Sequence, residues 1–164
     1  MQKQITVIRH AKSSWSNPGL RDFDRPLNQR GLRDAPLMAD KLQDLGIKLD
    51  LILSSPSSRT LLTAEYFKVK FGCKIETVNN LYHGDVEDIM DSLIYVPDEI
   101  ISVGIFCHNP GITSFANRIS KKMIDNVPTC GLLLCEVKEN LQWQDIEVKD
   151  LELKSFIYPK MYIK

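Results

Sequence analysis

The fold is decided by the stretch Ile5-Thr6-Val7-Ile8-Arg9-His10-Ala11-Lys12-Ser13. Its first four residues are apolar or β-branched and have polar neighbours, which is typical of a short buried strand. An arginine and a histidine, Arg9 and His10, follow that strand directly. A lone histidine after a strand is usually structural, so the meaning of this pair depends on what stands at the ends of the other strands.

Strand and helix patterns alternate along the rest of the chain. Further strands are predicted at 50–54, 74–78, 100–106 and 132–137, with weaker strand or edge segments at 143–148 and 151–157. Helices are predicted at 57–69, 86–94 and 112–119, and a further one at 34–45. This alternation is typical of an α/β fold with a mostly parallel central sheet and helices on both faces.

Two of the predicted helices need a closer description. Pro36 sits awkwardly in the helix at 34–45, so either that helix starts near Asp34 or an earlier helix is kinked there. In the helix at 57–69, the spacing of Leu62, Tyr66 and Val69 predicts its apolar face.

Polar side chains stand at the ends of three of these strands. The second strand leads into Ser54-Ser55-Pro56-Ser57-Ser58-Arg59, and the long apolar strand leads into Cys107-His108-Asn109-Pro110-Gly111. Ligands bind beyond the carboxyl ends of parallel strands, so Arg59 and His108 are expected to meet Arg9 and His10 at one edge of the sheet. Asn109 is a favoured helix cap and Pro110 a favoured first helical residue, which places His108 just before a helix N-terminus, where an anion is stabilised.

This set of side chains suits phosphoryl transfer. Guanidinium groups bind phosphoryl oxygens in bidentate fashion and stabilise the charge of the transition state. A neutral imidazole is a good nucleophile, and a second imidazole can donate a proton to the same oxygens. Two arginines and two histidines at one sheet edge therefore indicate an enzyme that handles phosphate.

Composition narrows the class of protein. The 164 residues suit a single domain, 1–164, and the 21 basic and 21 acidic side chains cancel, which argues against a nucleic-acid partner. Neither a membrane-spanning apolar run nor a signal peptide is recognised, so we expect a cytoplasmic protein with no membrane partner. The four cysteines form no close pair of the kind that binds zinc, and they are expected to be reduced and mostly buried.

Three motifs resemble those of the histidine phosphatase superfamily, whose phosphoglycerate mutases are best known. The first is Arg9-His10-Ala11-Lys12-Ser13, the second is Ser54-Ser55-Pro56 with Arg59, Thr63, Ala64 and Glu65, and the third is His108-Asn109-Pro110-Gly111. Asp24, Leu27 and Gly31 fit the family's intervening pattern, and all these motifs stand in family order. The short chain and the run on to Trp15 resemble more particularly the SixA-type phosphohistidine phosphatases.

The resemblance implies a phosphoglycerate mutase-like three-layer sandwich and an enzyme that needs no metal or other cofactor. It implies that His10 is the nucleophile, that Arg9 and Arg59 bind the phosphoryl group, and that His108 completes the pocket. The expected substrate is phosphohistidine on a signalling or phosphotransfer protein. A phosphomonoesterase for small sugar or nucleotide phosphates is the alternative enzyme, and a phosphate- or phosphohistidine-binding module without turnover is the non-enzymatic alternative.

The chain departs from the family at the proton donor. Many members place a glutamate after the third strand, whereas this segment reads Leu81-Tyr82-His83-Gly84-Asp85-Val86-Glu87. His83 and Asp85 are the candidates, and Asp85 is equally suited to cap the next helix. A weak or absent acid suits phosphohistidine, because imidazole leaves phosphorus more readily than an alkoxide does. The chain between the second motif and the apolar strand is too short for a lid, so an open site is expected.

Overall fold

The computed structural model describes residues 1–163, which build one six-stranded sheet. In chain order its strands are β1 (Gln4–Arg9), β2 (Leu51–Ser54), β3 (Lys74–Thr77), β4 (Ser102–Cys107), β5 (Leu132–Val137) and β6 (Leu151–Ile157). Their spatial order is β3-β2-β4-β1-β5-β6. The first four strands pair in parallel, and β5 is antiparallel to both of its neighbours. The carboxyl ends of β1, β2 and β4 therefore lie side by side at one edge.

Helices cover both faces of the sheet. They are α1 (Gln29–Asp44), α2 (Ser58–Phe71), α3 (Val86–Asp91) and α4 (Gly111–Ile119). Successive side chains of a strand point to opposite faces, and Val7 and Ile8 of β1 accordingly enter two different hydrophobic clusters. Val7 packs with Phe115 of α4, and Ile8 packs with Met38 of α1. The predicted three-layer α/β architecture is confirmed. Within residues 1–163, the helices are all too short or too polar to cross a membrane.

A helix start near Asp34 is wrong: α1 begins at Gln29 and contains Pro36 in its interior. Asn28 caps the helix, and its side-chain oxygen accepts a hydrogen bond from the Gly31 amide at 2.9 Å. Gly31 is needed there, because a Cβ at this position would collide with the carbonyl oxygen of Lys12. The start of α1 is thus packed directly against the loop that follows β1.

The predicted apolar face of α2 is wrong. Leu62 and Val69 are exposed, and the buried face carries Arg59, Thr60, Thr63, Ala64 and Phe67. Polar groups are buried on this face because they are hydrogen-bonded: the Thr63 hydroxyl, for example, donates to the Arg59 carbonyl at 2.7 Å. The first turns of α2 are built to hold a polar site rather than to fill a core.

Two further local predictions are wrong. Segment 143–148 forms turns of 3-10 helix instead of a strand, because buried Trp143 turns inward and its indole N–H donates to the Ile100 carbonyl at 2.8 Å. At the start of α4, Pro110 occupies the cap position instead of Asn109. The Asn109 side chain is engaged elsewhere, accepting from the Thr113 hydroxyl at 2.6 Å.

Candidate active site

The four residues predicted to meet at the sheet edge do so around one cavity of about 210 Å³. Arg9 ends β1, His10 follows it, Arg59 lies in the first turn of α2, and His108 follows β4. The Nε of Arg59 lies 3.3 Å from Nε2 of His10, and its Nη2 lies 3.4 Å from Nδ1 of His108. The two imidazole rings are 5.1 Å apart between centroids. Arg59 therefore links both histidines.

His10 is held as a neutral imidazole with one nitrogen facing the cavity. Its Nδ1 lies 2.8 Å from the Ala11 carbonyl oxygen, which can only accept, so Nδ1 carries the proton and Nε2 keeps its lone pair. Burial lowers the pKa of His10 to about 3; the hydrogen bond to Ala11 opposes this shift, and Arg59 and Arg9 add to it. The ring is pinned because the Ala11 amide donates to the Thr63 hydroxyl at 2.9 Å. A neutral imidazole with one unprotonated nitrogen is chemically able to act as a nucleophile.

Hydroxyl groups surround the Nε2 atom of His108. Its Nε2 lies 2.8 Å from the Ser55 hydroxyl and 3.3 Å from that of Thr60. A hydroxyl can donate or accept, so these groups accommodate either neutral tautomer of the ring. The pKa of His108 is lowered to about 2, mainly by burial and to a lesser extent by the charges of His10 and Arg59. A bound anion would favour the tautomer that directs an N–H from Nδ1 into the cavity.

Arg9 keeps donors for a ligand. Its Nη1 donates to the Val127 carbonyl at 3.0 Å, while its buried Nε has no hydrogen-bond partner among the residues that the structure describes. Burial lowers the pKa of this guanidinium, and the charges of Arg59 and Arg30 add to the effect. Crowded, partly desolvated cations of this kind are stabilised by an incoming anion.

Sequence reasoning missed Asp22 as a site residue. Its carboxylate accepts from Arg59 Nη2 at 3.0 Å, from Arg25 Nη2 at 3.0 Å and from the Tyr82 hydroxyl at 2.7 Å. Its backbone carbonyl accepts from Arg59 Nη1 at 2.7 Å. Burial alone would raise the pKa of Asp22, but the bonds from Tyr82, Arg59 and Arg25 outweigh it and hold this pKa well below its usual value. Asp22 is therefore a charged group that orients Arg59.

Arg25 and Trp15 form a second missed feature, at the rim of the cavity. The Arg25 guanidinium is buried, donates to the Ser13 hydroxyl at 2.8 Å, and lies 3.6 Å from the centroid of the Trp15 ring. Trp15 is 72% exposed although it lines the cavity. A strand-and-helix pattern gives no signal for this pairing, since both residues lie in the loop between β1 and α1; the only hint is an aromatic residue directly after the motif.

The two candidate proton donors lie in different places. His83 lines the cavity, its ring centroid lies 5.9 Å from that of His108, and its Nε2 lies 3.8 Å from Asp22 Oδ2. Asp85 instead caps α3, accepting from the Asp88 amide at 3.0 Å. This backbone hydrogen bond lowers the pKa of Asp85. Of the two, the cavity brings only His83 to the other site residues.

Catalysis by a cysteine nucleophile or by a metal ion finds less support in the side chains. Cys107 precedes His108, but burial raises the pKa of its thiol to about 12, so it stays protonated. All four cysteines are free, and Cys73 is half-buried whereas the others are buried. In the described part of the chain, histidine, cysteine and carboxylate side chains form no group of three that could hold a metal ion.

Comparison with known proteins agrees with this geometry. The model of the histidine phosphatase superfamily (branch 1) matches residues 5–92. A protein assigned as the phosphohistidine phosphatase SixA from Agrobacterium tumefaciens has a similar structure, with a TM-score of 0.78 and 31% identity over 97% of this chain and 99% of that one. The protein histidine phosphatase SixA complexed with tungstate has a TM-score of 0.78 and 20% identity, covering 96% and 98% of the two chains. A mycobacterial glucosyl-3-phosphoglycerate phosphatase has a TM-score of 0.69 and 14% identity, covering 94% and 98%, and shares the fold.

Proposed function

Because this chain belongs to the histidine phosphatase superfamily, we propose that it hydrolyses phosphohistidine on a signalling or phosphotransfer protein, through a covalent intermediate on His10. The observation that carries the proposal is the state of His10. Its Nδ1 proton is committed to the Ala11 carbonyl at 2.8 Å, so Nε2 is unprotonated, and its lone pair becomes the nucleophile once the Arg59 Nε–H that it accepts turns to the phosphoryl group. A neutral, oriented imidazole beside two guanidinium groups is suited to accept a phosphoryl group.

Binding of the phosphoryl group engages the cations first. Arg9 and Arg59 donate to the phosphoryl oxygens, and their charge compensates that of the group. His108 donates from Nδ1 to another oxygen while Ser55 donates to its Nε2, since the hydroxyl at 2.8 Å can reverse its role. Asp22 holds the Arg59 side chain in position during binding and transfer.

Transfer then occurs in two displacements at phosphorus. In the first, the lone pair of His10 Nε2 forms a bond to phosphorus as the bond to the substrate imidazole breaks. That bonding pair stays with the departing nitrogen, which takes up one proton from solvent. In the second, water attacks phosphorus and the bond to Nε2 breaks, which returns the pair to His10. The proton lost by the water goes to the released phosphate or to solvent.

The state of the two carboxylates near the site supports phosphohistidine as the substrate, because neither Asp22 nor Asp85 is placed to act as a general acid. Asp22 is held charged by its donors, and Asp85 is engaged in the cap of α3. An alkoxide leaving group needs a proton from a general acid, whereas imidazole is a far better leaving group. The exposed rim at Trp15 further supports a protein substrate, since it leaves space for a protein surface.

One observation favours the alternative, a small-molecule phosphomonoesterase. His83 lines the cavity, and its Nε2 lies 3.8 Å from the Asp22 carboxylate. An imidazole in this place is positioned to give a proton to the leaving group of an ester. The two functions therefore differ in whether His83 takes part.

A direct test is to measure kcat/KM side by side for a phosphohistidine-bearing phosphotransfer domain, free phosphohistidine, and sugar and nucleotide phosphates. The proposal requires the phosphohistidine substrates to be hydrolysed at least about a hundredfold better than the alkyl phosphates, because an unassisted alkoxide departs poorly. The reverse order of kcat/KM would establish the phosphomonoesterase instead. Binding without turnover of any of them would identify the non-catalytic module.

A further inference from the structure

A second cavity lies beside the catalytic one and is larger, about 410 Å³. Its walls come from the first turns of α1, from the loop before β5, and from the 3-10 turn Pro159–Met161 after β6. Thr129 lines both cavities, so the two meet at this residue. A group bound in the second cavity would therefore be adjacent to the phosphoryl site.

The second cavity carries an excess of positive charge. Among residues 1–163, three cationic side chains line it, Arg30, Arg33 and Lys160, against one carboxylate, Asp34. Asp34 is only 1% exposed and pairs with Arg33 Nε at 2.9 Å and with Arg30 Nε at 3.8 Å. Both arginine side chains are about half exposed, at 54% and 53%. The buried carboxylate thus contacts both arginines at their Nε atoms, and about half of each arginine side chain stays exposed.

The charge in this cavity is coupled to the catalytic centre. Arg30 Nη2 lies 3.3 Å from the hydroxyl of Thr129, the residue shared by the two cavities. Arg30 is also one of the charges that lower the pKa of Arg9. Arg30 therefore stands between the phosphoryl site and the outer cations, Arg33 and Lys160.

We propose that this cavity binds an aspartate or glutamate side chain of the phosphorylated protein, close to its phosphohistidine. The inference rests on the proposed function and specifies its substrate class, a phosphohistidine with an acidic neighbour on the same protein surface. A carboxylate matches the planar fork of an arginine. Asp34 offsets one of the three positive charges, and the net positive charge that remains attracts a carboxylate. Tyr158, Pro159 and Ile163 supply an apolar wall against which the methylene groups of the acidic side chain can pack.

The experiment uses synthetic phosphohistidine peptides that carry one glutamate at each of several positions on either side of the phosphohistidine, with matched glutamine peptides. Free phosphohistidine and p-nitrophenyl phosphate serve as substrates too small to reach the second cavity. The enzymes are the wild type, Lys160→Glu and Arg33→Gln, with Lys68→Gln as the matched control. Lys68 is an exposed lysine in the last turn of α2, at the opposite end of that helix from Arg59.

We expect the wild type to prefer the glutamate peptide at one or more positions, by about threefold to tenfold in kcat/KM, the range of partly exposed charge pairs. Lys160→Glu and Arg33→Gln should lose this preference while hydrolysing free phosphohistidine and p-nitrophenyl phosphate like the wild type. Lys68→Gln should keep it. A lysine placed at the preferred position should be accepted better by Lys160→Glu than by the wild type. Since Arg33→Gln leaves Asp34 with one arginine and can destabilise the fold, Lys160→Glu, at an exposed turn, is the deciding variant.

Equal kcat/KM for the glutamate and glutamine peptides at every position would overturn this proposal and leave the proposed function intact. The proposal would also be overturned if Lys160→Glu lowered kcat/KM for free phosphohistidine as much as it lowers kcat/KM for the peptides, since the effect would then arise at the catalytic centre. Failure of the wild type to turn over any phosphohistidine substrate, with p-nitrophenyl phosphate hydrolysed, would contradict the proposed function and this proposal together.

Discussion

The Nε of Arg59 donates a hydrogen bond to Nε2 of His10 at 3.3 Å, so the cation proposed to bind phosphate contacts the nitrogen proposed as the nucleophile. The contact has two consequences. The Nε2 lone pair is occupied by an N–H until a ligand binds, and the positive charge of Arg59 helps to keep His10 unprotonated. An incoming phosphoryl group would take over this donor from His10, which would release the Nε2 lone pair beside the group that it is proposed to attack.

The role of His10 can be tested by removing its ring. We expect His10→Ala to abolish turnover, because Nε2 of His10 is the atom proposed to form the bond to phosphorus, while phosphate binding is partly retained by Arg9 and Arg59. Rapid quenching of the wild type with labelled substrate, under non-acidic conditions, should trap an acid-labile and base-stable phosphoryl adduct on His10. A label found on a serine or cysteine would contradict the mechanism.

Arg9 and Arg59 are predicted to bind the phosphoryl group by bidentate hydrogen bonds and not by their charge alone. Arg9→Lys and Arg59→Lys should each lower kcat/KM by at least about tenfold, since lysine keeps the charge but loses bidentate binding. Arg59→Lys should be the more damaging, because Arg59 also bonds to Asp22 and His10. Arg118→Lys, at an exposed arginine of α4, is the matched control. A rate close to that of the wild type in either site variant would mean that the arginine does not bind the transferring group.

These roles could be anticipated because they depend on the most regular part of the chain. Buried strands are recognisable from short apolar runs, and the rule that parallel strands present ligand sites at their carboxyl ends then brings Arg9, His10 and His108 together. Asp22 was not foreseen, because it reaches the site through the loop between β1 and α1, whose path follows from contacts such as Gly31 against Lys12 and not from a periodic pattern.

The errors have the same physical origin. On α2, apolar periodicity selected Leu62 and Val69, yet the buried face is polar because Arg59 and Thr63 are satisfied by site hydrogen bonds. A pattern of hydrophobicity cannot recognise a helix whose buried face serves a site. Segment 143–148 was misassigned for the complementary reason: one buried indole with a carbonyl partner outweighed weak strand propensity.

Folding stability should depend on pH through the buried histidines. Burial lowers the pKa of His10 from 6.5 to about 3 and that of His108 from 6.5 to about 2. Below pH 6.5 the unfolded chain protonates these side chains while the folded protein does not. Stability is therefore complete above this pH and falls as the pH drops towards about 3, by up to about 1.4 kcal/mol per pH unit for each histidine.

The measurement is the free energy of unfolding in urea at pH 7.5 and pH 5, a range above the pH at which Asp22 would be protonated. The free energy of unfolding of the wild type should fall between pH 7.5 and pH 5. In His10→Gln and in His108→Gln this fall should be smaller by about 1 to 2 kcal/mol. Lys68→Gln should lose as much as the wild type. An unchanged pH dependence in both histidine variants would show that these rings are not held neutral by the fold.

Metal removal should leave activity intact. Arg9, Arg59 and His108 supply the positive field that a metal ion would otherwise provide around the transferring group. Hydrolysis after exhaustive treatment with EDTA should therefore proceed at the original rate. A loss of activity that magnesium or zinc restores would contradict the proposed mechanism, and the restored rate with each ion would show which of them takes part.

Leaving-group dependence should report whether a general acid works in this site. With no strong acid in the cavity walls, rates should fall steeply as the leaving-group pKa rises, because negative charge accumulates uncompensated on the departing atom. Phosphohistidine and aryl phosphates should be hydrolysed readily and alkyl phosphates poorly.

His83→Gln removes the one candidate acid that lines the cavity, and it should change phosphohistidine hydrolysis by less than about threefold, since imidazole leaves readily. Asp85→Asn is its matched control, because asparagine can still cap α3 from a position outside the cavity lining. The measurement is kcat/KM for phosphate esters of rising leaving-group pKa, on the wild type and both variants. A shallow dependence in the wild type that becomes steep in His83→Gln, but not in Asp85→Asn, would identify His83 as a working acid assisted by Asp22, and would favour the small-molecule phosphomonoesterase.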